Sequence, residues 1–351
     1  MIRPLSRLGQ GIFIFSEEIF MEEITMDNLQ DVLILDATLR DGGLVNDHHF
    51  EDDFVRELYR ANAVAGVDYM EFGYRADKKQ FSPEKYGKWK FTSDEDIRAA
   101  VGDFDVGAKA PQISIMADVG RCDYRNDIHP RAESPVDLIR VATYIDTMKE
   151  AMEMVEYAYR QGYQVTCNLM AVSNYTVPQL KEAIHMMAQS PIIGAYVVDS
   201  YGSLYPEQVR ELVHLFGEQL IPAGKMVGIH AHNNQQCAFA NTIEALNAGA
   251  RMLDGSAYGM GRGAGNCHLE ALLGYFNGEK YHIEPALDVV ENEMIPLKDS
   301  GVKWGYNTSY FLTGLTNQHP RTAIAATKDC DIDFREQYNH LPHLKQTVKC
   351  C

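Results

Sequence analysis

Short apolar runs rich in β-branched residues alternate along the chain with longer stretches of helical period. Val32–Ala37, Val67–Phe72, Gln112–Ala117, Leu138–Tyr144, Gln164–Leu169, Ile193–Val198, Met226–His230 and Met252–Ser256 read as strands. Between them Phe54–Ala65, Met148–Gln161, Val177–Gln189, Pro206–Gln219 and Ala238–Ala248 space their apolar residues three and four apart, as amphipathic helices do. Start signals such as Ser203 to Pro206, and glycines at 66, 162 and 249, punctuate the pattern. A strand-then-helix alternation demands parallel strands with crossover helices. Eight such units point to an α/β fold closed as a (β/α)8 TIM barrel rather than an open sheet. No GxGxxG follows the first strand, which argues against a dinucleotide-binding sheet.

After Tyr281 the pattern changes: Ile283–Met294 and Lys303–Leu315 read as helices without strands between them. The expected organisation is an N-terminal extension over 1–30, a barrel over 31–280 and a small helical C-terminal region over 281–351. Residues 1–26 carry Arg3, Arg7 and the run Gly11–Phe15, but Glu17 and Glu18 follow at once, so an export signal is not expected. Met21 and Met26 are candidate starts.

A chain of 351 residues, 46% hydrophobic and 23% charged, has the balance of a soluble globular protein. Its formal charge of −17 disfavours nucleic acid or an anionic membrane as partner. An anionic substrate then needs a local positive centre, which a metal ion or a few arginines supply. The seven cysteines (122, 167, 237, 267, 330, 350 and 351) are scattered and lack CxxC spacing, in keeping with a reducing cytoplasm. The vicinal Cys350–Cys351 pair could take a soft metal, although solvated thiols explain it as well.

Candidate chemistry starts at Gly228-Ile229-His230-Ala231-His232-Asn233-Asn234. Residues two apart on a strand share a face, so both imidazoles point the same way at a strand end. In a barrel that end opens on the active-site mouth. The sequence Thr38-Leu39-Arg40-Asp41-Gly42-Gly43 follows the first strand and brings a carboxylate to the same mouth. Alone, each segment also reads as an ordinary strand end or surface turn; the two together offer complementary ligands. Gly255–Asn266, with five glycines, allows close backbone approach to a ligand, or is simply a turn. In Asp199-Ser200-Tyr201-Gly202 the side chains hydrogen-bond a substrate or cap the next helix. Two histidines and a carboxylate also form the facial triad of iron oxygenases, but the strand–helix alternation opposes their usual sandwich fold. A degenerate barrel serving as a binding subunit is the non-catalytic alternative, and the intact ligand set argues against it.

Thr38–Gly42, His230-x-His232-Asn233, the helix Asn241-Thr-Ile-Glu-Ala-Leu-x-Ala-Gly-Ala250 and the glycine loop occur in the order that resembles the DRE-TIM metallolyase superfamily, over Val32–Tyr275. That group includes 3-hydroxy-3-methylglutaryl-CoA lyase, isopropylmalate and homocitrate synthases and 4-hydroxy-2-oxovalerate aldolase. The resemblance implies that Asp41, His230 and His232, with Asn266 as a further ligand, bind Mg2+ or Mn2+. It also implies that Arg40 stabilises an enolate oxygen in aldol cleavage of a 4-hydroxy-2-oxo acid through a metal-bound pyruvate enolate. Departures choose within the group. Gly43 and Leu44 stand where the synthases and the CoA lyase carry Glu or Gln, and Arg262 stands in the loop that holds the lyase's cysteine. Position 234 is Asn where the synthases read Asp.

The pattern is nearest the oxovalerate aldolases, with a Claisen-type, acyl-CoA-dependent synthase as the alternative. Those aldolases place a histidine two residues after the glycine, where this chain has Leu44; His48 and His49 are substitutes, or solvated loop residues. Gly305-Tyr306-Asn307-Thr308-Ser309-Tyr310 matches a family tyrosine context, which implies Tyr310 as a proton relay, although a packed helix aromatic reads equally well. Asp199 and Ser200 are the further substrate-binding candidates. The resemblance also leaves room for a homo-oligomer and for an aldehyde dehydrogenase docked on 281–351.

Overall fold

The computed structural model describes residues 31–102, 110–326 and 333–341. The N-terminal extension over 1–30 and Cys330, Cys350 and Cys351 lie outside the described residues. Eight strands close a parallel barrel in sequence order: β1 Leu33–Asp36, β2 Tyr69–Tyr74, β3 Gln112–Asp118, β4 Leu138–Thr143, β5 Gln164–Leu169, β6 Gly194–Asp199, β7 Met226–Ala231 and β8 Met252–Gly255. Closure is made where β8 pairs back onto β1, Leu33 opposite Met252 and Asp36 opposite Gly255.

The strands read as nearly continuous apolar runs because both of their faces are covered. Outward residues such as Ile34, Met70, Phe72, Ile139 and Val141 join the main core against the helices. Inward residues behave differently from floor to mouth. Leu35, Tyr69 and Leu138 form an apolar floor. Above it the inward positions turn polar: Glu71 on β2, Arg140 on β4 and Asp254 on β8 are almost wholly buried.

The helices follow their sequence signals. Asp52–Ala65 begins with Asp52 and Asp53 in its first turn, where carboxylates meet the positive end of the helix dipole. It stops at Gly66, which has φ +78°, and a Cβ there would lie 2.0 Å from the Lys280 carbonyl oxygen. Only glycine satisfies both conditions. Thr176 with Gln179 forms a capping box at Val177–Gln189, and Pro178 fits the first turn.

The tail departs from expectation in two places. Its first helix is interrupted: Glu284–Val289 runs into a π turn at Val290–Met294 and resumes as Ile295–Asp299. Pro296 has no N–H to give, and a π turn absorbs the register change this forces. The second helix, expected from Lys303, begins only at Thr308, capped by the Asn307 side chain accepting from Ser309 N at 2.9 Å. Gly305 at φ +102° breaks the preceding turn, and Trp304 is held instead by donating from Nε1 to the Tyr258 carbonyl at 3.0 Å. That bond ties the tail to the loop after β8. Among the described residues no helix is long and apolar enough to cross a membrane.

Candidate metal centre and active-site cavity

The ends of β1 and β7 bring Asp41, His230 and His232 together. One ligand atom from each lies within 4.8 Å of the others, and all three residues are buried. His230 Nε2 and His232 Nδ1 each stand 4.0 Å from an oxygen of Asp41. The rings sit 5.1 Å apart at 88°, so their lone pairs converge without stacking.

The loop after β8 completes the set. Asn266 bridges to His232 through backbone pairing and donates from Nδ2 to Asp41 Oδ2 at 2.9 Å and to the Met260 carbonyl at 3.1 Å. Its Oδ1 is buried with no hydrogen-bond partner, as is His230 Nε2. Buried polar atoms left unpaired are uncommon and ask for an explanation. A cation among these donors satisfies both. Gly261 makes the approach possible, because a Cβ there would come 2.4 Å from Asn266 Nδ2 and 2.7 Å from Asp41 Oδ2. Asp36 and Thr38 fix the loop after β1: the Asp36 carboxylate accepts from Thr38 N at 2.9 Å and from Asn62 Nδ2 at 2.6 Å, while Thr38 Oγ1 accepts from Ala257 N at 2.8 Å.

The protonation states suit metal ligation. Burial holds the His232 imidazole down to about 3, against the pull of Asp41, so it is neutral with a free lone pair. Burial works the other way on Asp41. The positive field of its neighbours, the Arg40 guanidinium at 2.7 Å among them, outweighs it and holds that carboxyl far below the usual carboxylate range. The site therefore presents one anion beside a neutral His232 imidazole.

Beneath the ligands runs a chain of buried charges. Arg40 gives Nη1 to Asp41 and Nε to Glu71, each at 2.7 Å. Glu71 also accepts from Arg140 at 2.9 Å, and Arg140 donates to Asp254 at 2.5 Å. Asp254 Oδ2 in turn meets His230 Nδ1 at 2.9 Å. A carboxylate at Nδ1 places the ring proton there and leaves the Nε2 lone pair for a cation. Arg140 lies 4.3 Å over the Tyr196 ring, which occupies the space that Gly228 leaves open. Glu71, Arg140 and Asp254 are site residues that motif reading missed. Their signal was present in Met70-Glu71-Phe72, Ile139-Arg140-Val141 and Leu253-Asp254-Gly255: a lone charge at an inward position of an apolar strand, with alternating sign from strand to strand.

The cavity over this centre takes lining residues from the loops after all eight strands and from the tail residues His319 and Arg321. Ser200 lines it while accepting from Ala171 N at 2.8 Å through Oγ. Asp199 lies below the lining, its carboxylate accepting from Ser203 N and Leu204 N at 3.0 and 3.1 Å, which is a turn-capping arrangement. Burial raises that carboxyl to about 6. Tyr310 sits on Thr308–Leu315 with its ring edge toward Gly263 and its carbonyl accepting from Asn234 at 3.2 Å; it is absent from the described lining. His48 is not the solvated loop residue that sequence allowed. It is 1% exposed, set edge-on to Tyr74, and its ring fills the space beside Gly43, whereas His49 is exposed.

Comparison with known proteins matches the HMGL-like family over residues 31–292. A 4-hydroxy-2-oxovalerate aldolase of Bacillus thuringiensis is 32% identical over 270 residues, 76% of each chain. An oxaloacetate decarboxylase of Mycobacterium tuberculosis is 32% identical over 248 residues, 70% of this chain and 69% of that one. Among solved structures, the N-terminal domain of a candidate aldolase from Bacteroides vulgatus superposes with a TM-score of 0.70 at 26% identity, covering 85% of this chain and 97% of that one. Hydroxymethylglutaryl-CoA lyase from Pseudomonas aeruginosa shares the fold, with a TM-score of 0.62 at 18% identity over 79% of this chain and 95% of that one.

Proposed function

The chain belongs to the HMGL-like family as a carbon–carbon lyase, and from that premise we propose that it cleaves a 4-hydroxy-2-oxo acid into pyruvate and an aldehyde, or condenses them in reverse. The reading rests on the convergence of Asp41, His230 and His232 beside Arg40. We assign the three, with Asn266 Oδ1 as a fourth donor, to a divalent ion, Mn2+ or Mg2+. Oxygen and imidazole donors without a thiolate suit such ions. When bound, the ion supplies Lewis acidity toward the 2-oxo carbonyl and its carboxylate.

The protein's own contribution is orientation and fixed charge. Arg40, clamped by Glu71 and Asp41, cannot swing away, so it offers its positive charge where an enolate oxygen develops. In cleavage the C4 hydroxyl gives up its proton and the C3–C4 electron pair passes to the oxo-acid half as an enolate. Protonation at C3 then yields pyruvate, and the protons balance. Ser200, on the cavity wall, is assigned to substrate contact, and Asp199 to holding the turn that carries it.

Loss of carbon dioxide from oxaloacetate leaves the same enolate, so decarboxylation is a second reading, favoured by the Mycobacterium tuberculosis relative. The test is proton exchange at C3 of pyruvate in D2O, followed by NMR with Mn2+ or a chelator, alongside cleavage of 4-hydroxy-2-oxo acids coupled to pyruvate reduction. Exchange that persists undiminished after chelation, or no exchange with metal, rejects the mechanism.

A further inference from the structure

The cavity is far more cationic than an oxo-acid head group requires. Arg40 is committed to Asp41 and Glu71. Beyond it, Lys90, Arg121, Arg262 and Arg321 line the same cavity, and Asp118 is the one lining carboxylate apart from Asp41. Four cations thus face one carboxylate, in a chain whose formal charge is −17. Asp118 is the carboxylate whose field reaches Lys90 most strongly, but its one ion pair among the described residues is with the half-exposed Arg121, at 4.0 Å.

Lys90 and Arg262 are the informative pair, coming from the loops after β2 and β8 that flank β1. Lys90 is 6% exposed and makes no ion pair among the described residues. Its Nζ instead lies 4.0 Å from the Tyr74 ring centroid and 4.6 Å from that of Phe81, a box that holds a cation without neutralising it. Arg262 donates from Nη2 to the Ser200 carbonyl at 3.2 Å, and its Nε is buried with no hydrogen-bond partner. Neither group meets a carboxylate within ion-pair distance among the described residues. Keeping the buried Lys90 ammonium without a paired carboxylate is costly, and a ligand anion in this cavity would offset that cost. The fields agree with one shared cavity: burial first, then Arg262, Arg321 and Arg121, hold the His319 imidazole down to about 4.

We propose that the aldehyde half of the substrate carries a second acid group, a carboxylate or a phosphate, received by Lys90 and Arg262 with Arg121 and Arg321 at the mouth. This rests on the oxo-acid lyase reading above and extends it, because an aldehyde bearing only an alkyl chain would leave these cations unmatched when water is displaced.

The experiment compares ligands that cannot be cleaved. Mn2+-loaded full-length protein is titrated calorimetrically with 2-oxoglutarate and 2-oxoadipate, and with 2-oxopentanoate and 2-oxohexanoate, which match their lengths but lack the distal acid. One charge-assisted contact predicts roughly 10–100-fold tighter binding of the diacids. That advantage shrinks in Arg262→Gln and in the solvent-facing Arg121→Gln, and falls as salt rises. Equal binding of diacid and monoacid overturns the inference, even if pyruvate C3 exchange is intact. Absent exchange with a preserved diacid preference overturns the lyase reading instead. In condensation with pyruvate, faster turnover of succinic semialdehyde than of glyceraldehyde 3-phosphate assigns the second acid as a carboxylate, and the reverse assigns a phosphate. Preference for propionaldehyde over both rejects the proposal.

Discussion

Replacing Asp254 with Asn tests how far the buried charges beneath the centre set its affinity for metal. Asp254 touches no substrate-facing surface, being 1% exposed, yet it holds His230 Nδ1 at 2.9 Å and Arg140 at 2.5 Å. Two consequences follow from removing its charge. The carboxylate no longer fixes the proton on Nδ1, so the ring can turn its N–H toward the metal position and withdraw the Nε2 lone pair. Loss of a carboxylate behind a ligating histidine costs roughly 10–100-fold in metal affinity, which is about 1.4–2.7 kcal/mol at 1.36 kcal/mol per decade. Arg140, wholly buried, is also left with Glu71 alone, and breaking a buried pair typically costs about 3–5 kcal/mol of stability.

The assay is Mn2+ titration of folded protein by calorimetry, with thermal unfolding run in parallel. Asp94→Asn is the control, since Asp94 makes a buried ion pair with Arg75 away from the centre; it should lower the melting temperature and leave Mn2+ affinity alone. A folded Asp254→Asn protein that binds Mn2+ within twofold of the parent would refute the reasoning.

Four further outcomes are expected. Arg40→Gln should lower kcat by roughly 10²–10³, and a steady-state assay showing only a raised KM contradicts a role in stabilising the enolate. Burial, with Asp118 opposing and Arg121 and Arg40 reinforcing, brings Lys90 down to about 8, so it is charged below that pH and neutral above it. The diacid preference should therefore fall as pH rises from 7 to 9.5, and a constant preference separates Lys90 from it; Asp47, His48 and the rings of Tyr74, Phe81 and Tyr86 also face the ammonium. Gly228→Ala puts a methyl 2.7 Å from the Tyr196 ring and should destabilise the barrel by about 1–3 kcal/mol in denaturant unfolding. Tyr310→Phe should change kcat less than about tenfold because the residue stands off the described lining, whereas a loss near the 10²–10⁴ expected of a proton-transfer group restores it to the chemistry.

The barrel was legible because parallel strands covered on both sides must be apolar runs, and every expected strand overlaps an observed one. Asp41, His230 and His232 were legible because they follow strand ends, where register alone dictates a shared mouth. The charges on β2, β4 and β8 were harder to see. Each is a single polar residue in an apolar run, and only the pairing of three strands across the barrel interior reveals what neutralises it. Lys90, Arg121 and Arg321 were not legible at all, since loop and tail residues are brought to the cavity by packing and not by period. His48 was misjudged for a related reason: a short polar loop predicts exposure, but the backbone turns back at Asp47 and His48, with φ +51° and +63°, and folds the ring under Gly43.

The succession Asp41, Arg40, Glu71, Arg140, Asp254, His230 has a consequence for how such a barrel can change over generations. Glu71 and Arg140 each stand between two groups of opposite sign and are closed off from solvent, so replacing either one strands a charge on both sides of it. Drift at these positions should therefore proceed by concerted exchange or not at all, while the mouth above, whose cations answer to a ligand instead of to one another, is free to be retuned one residue at a time.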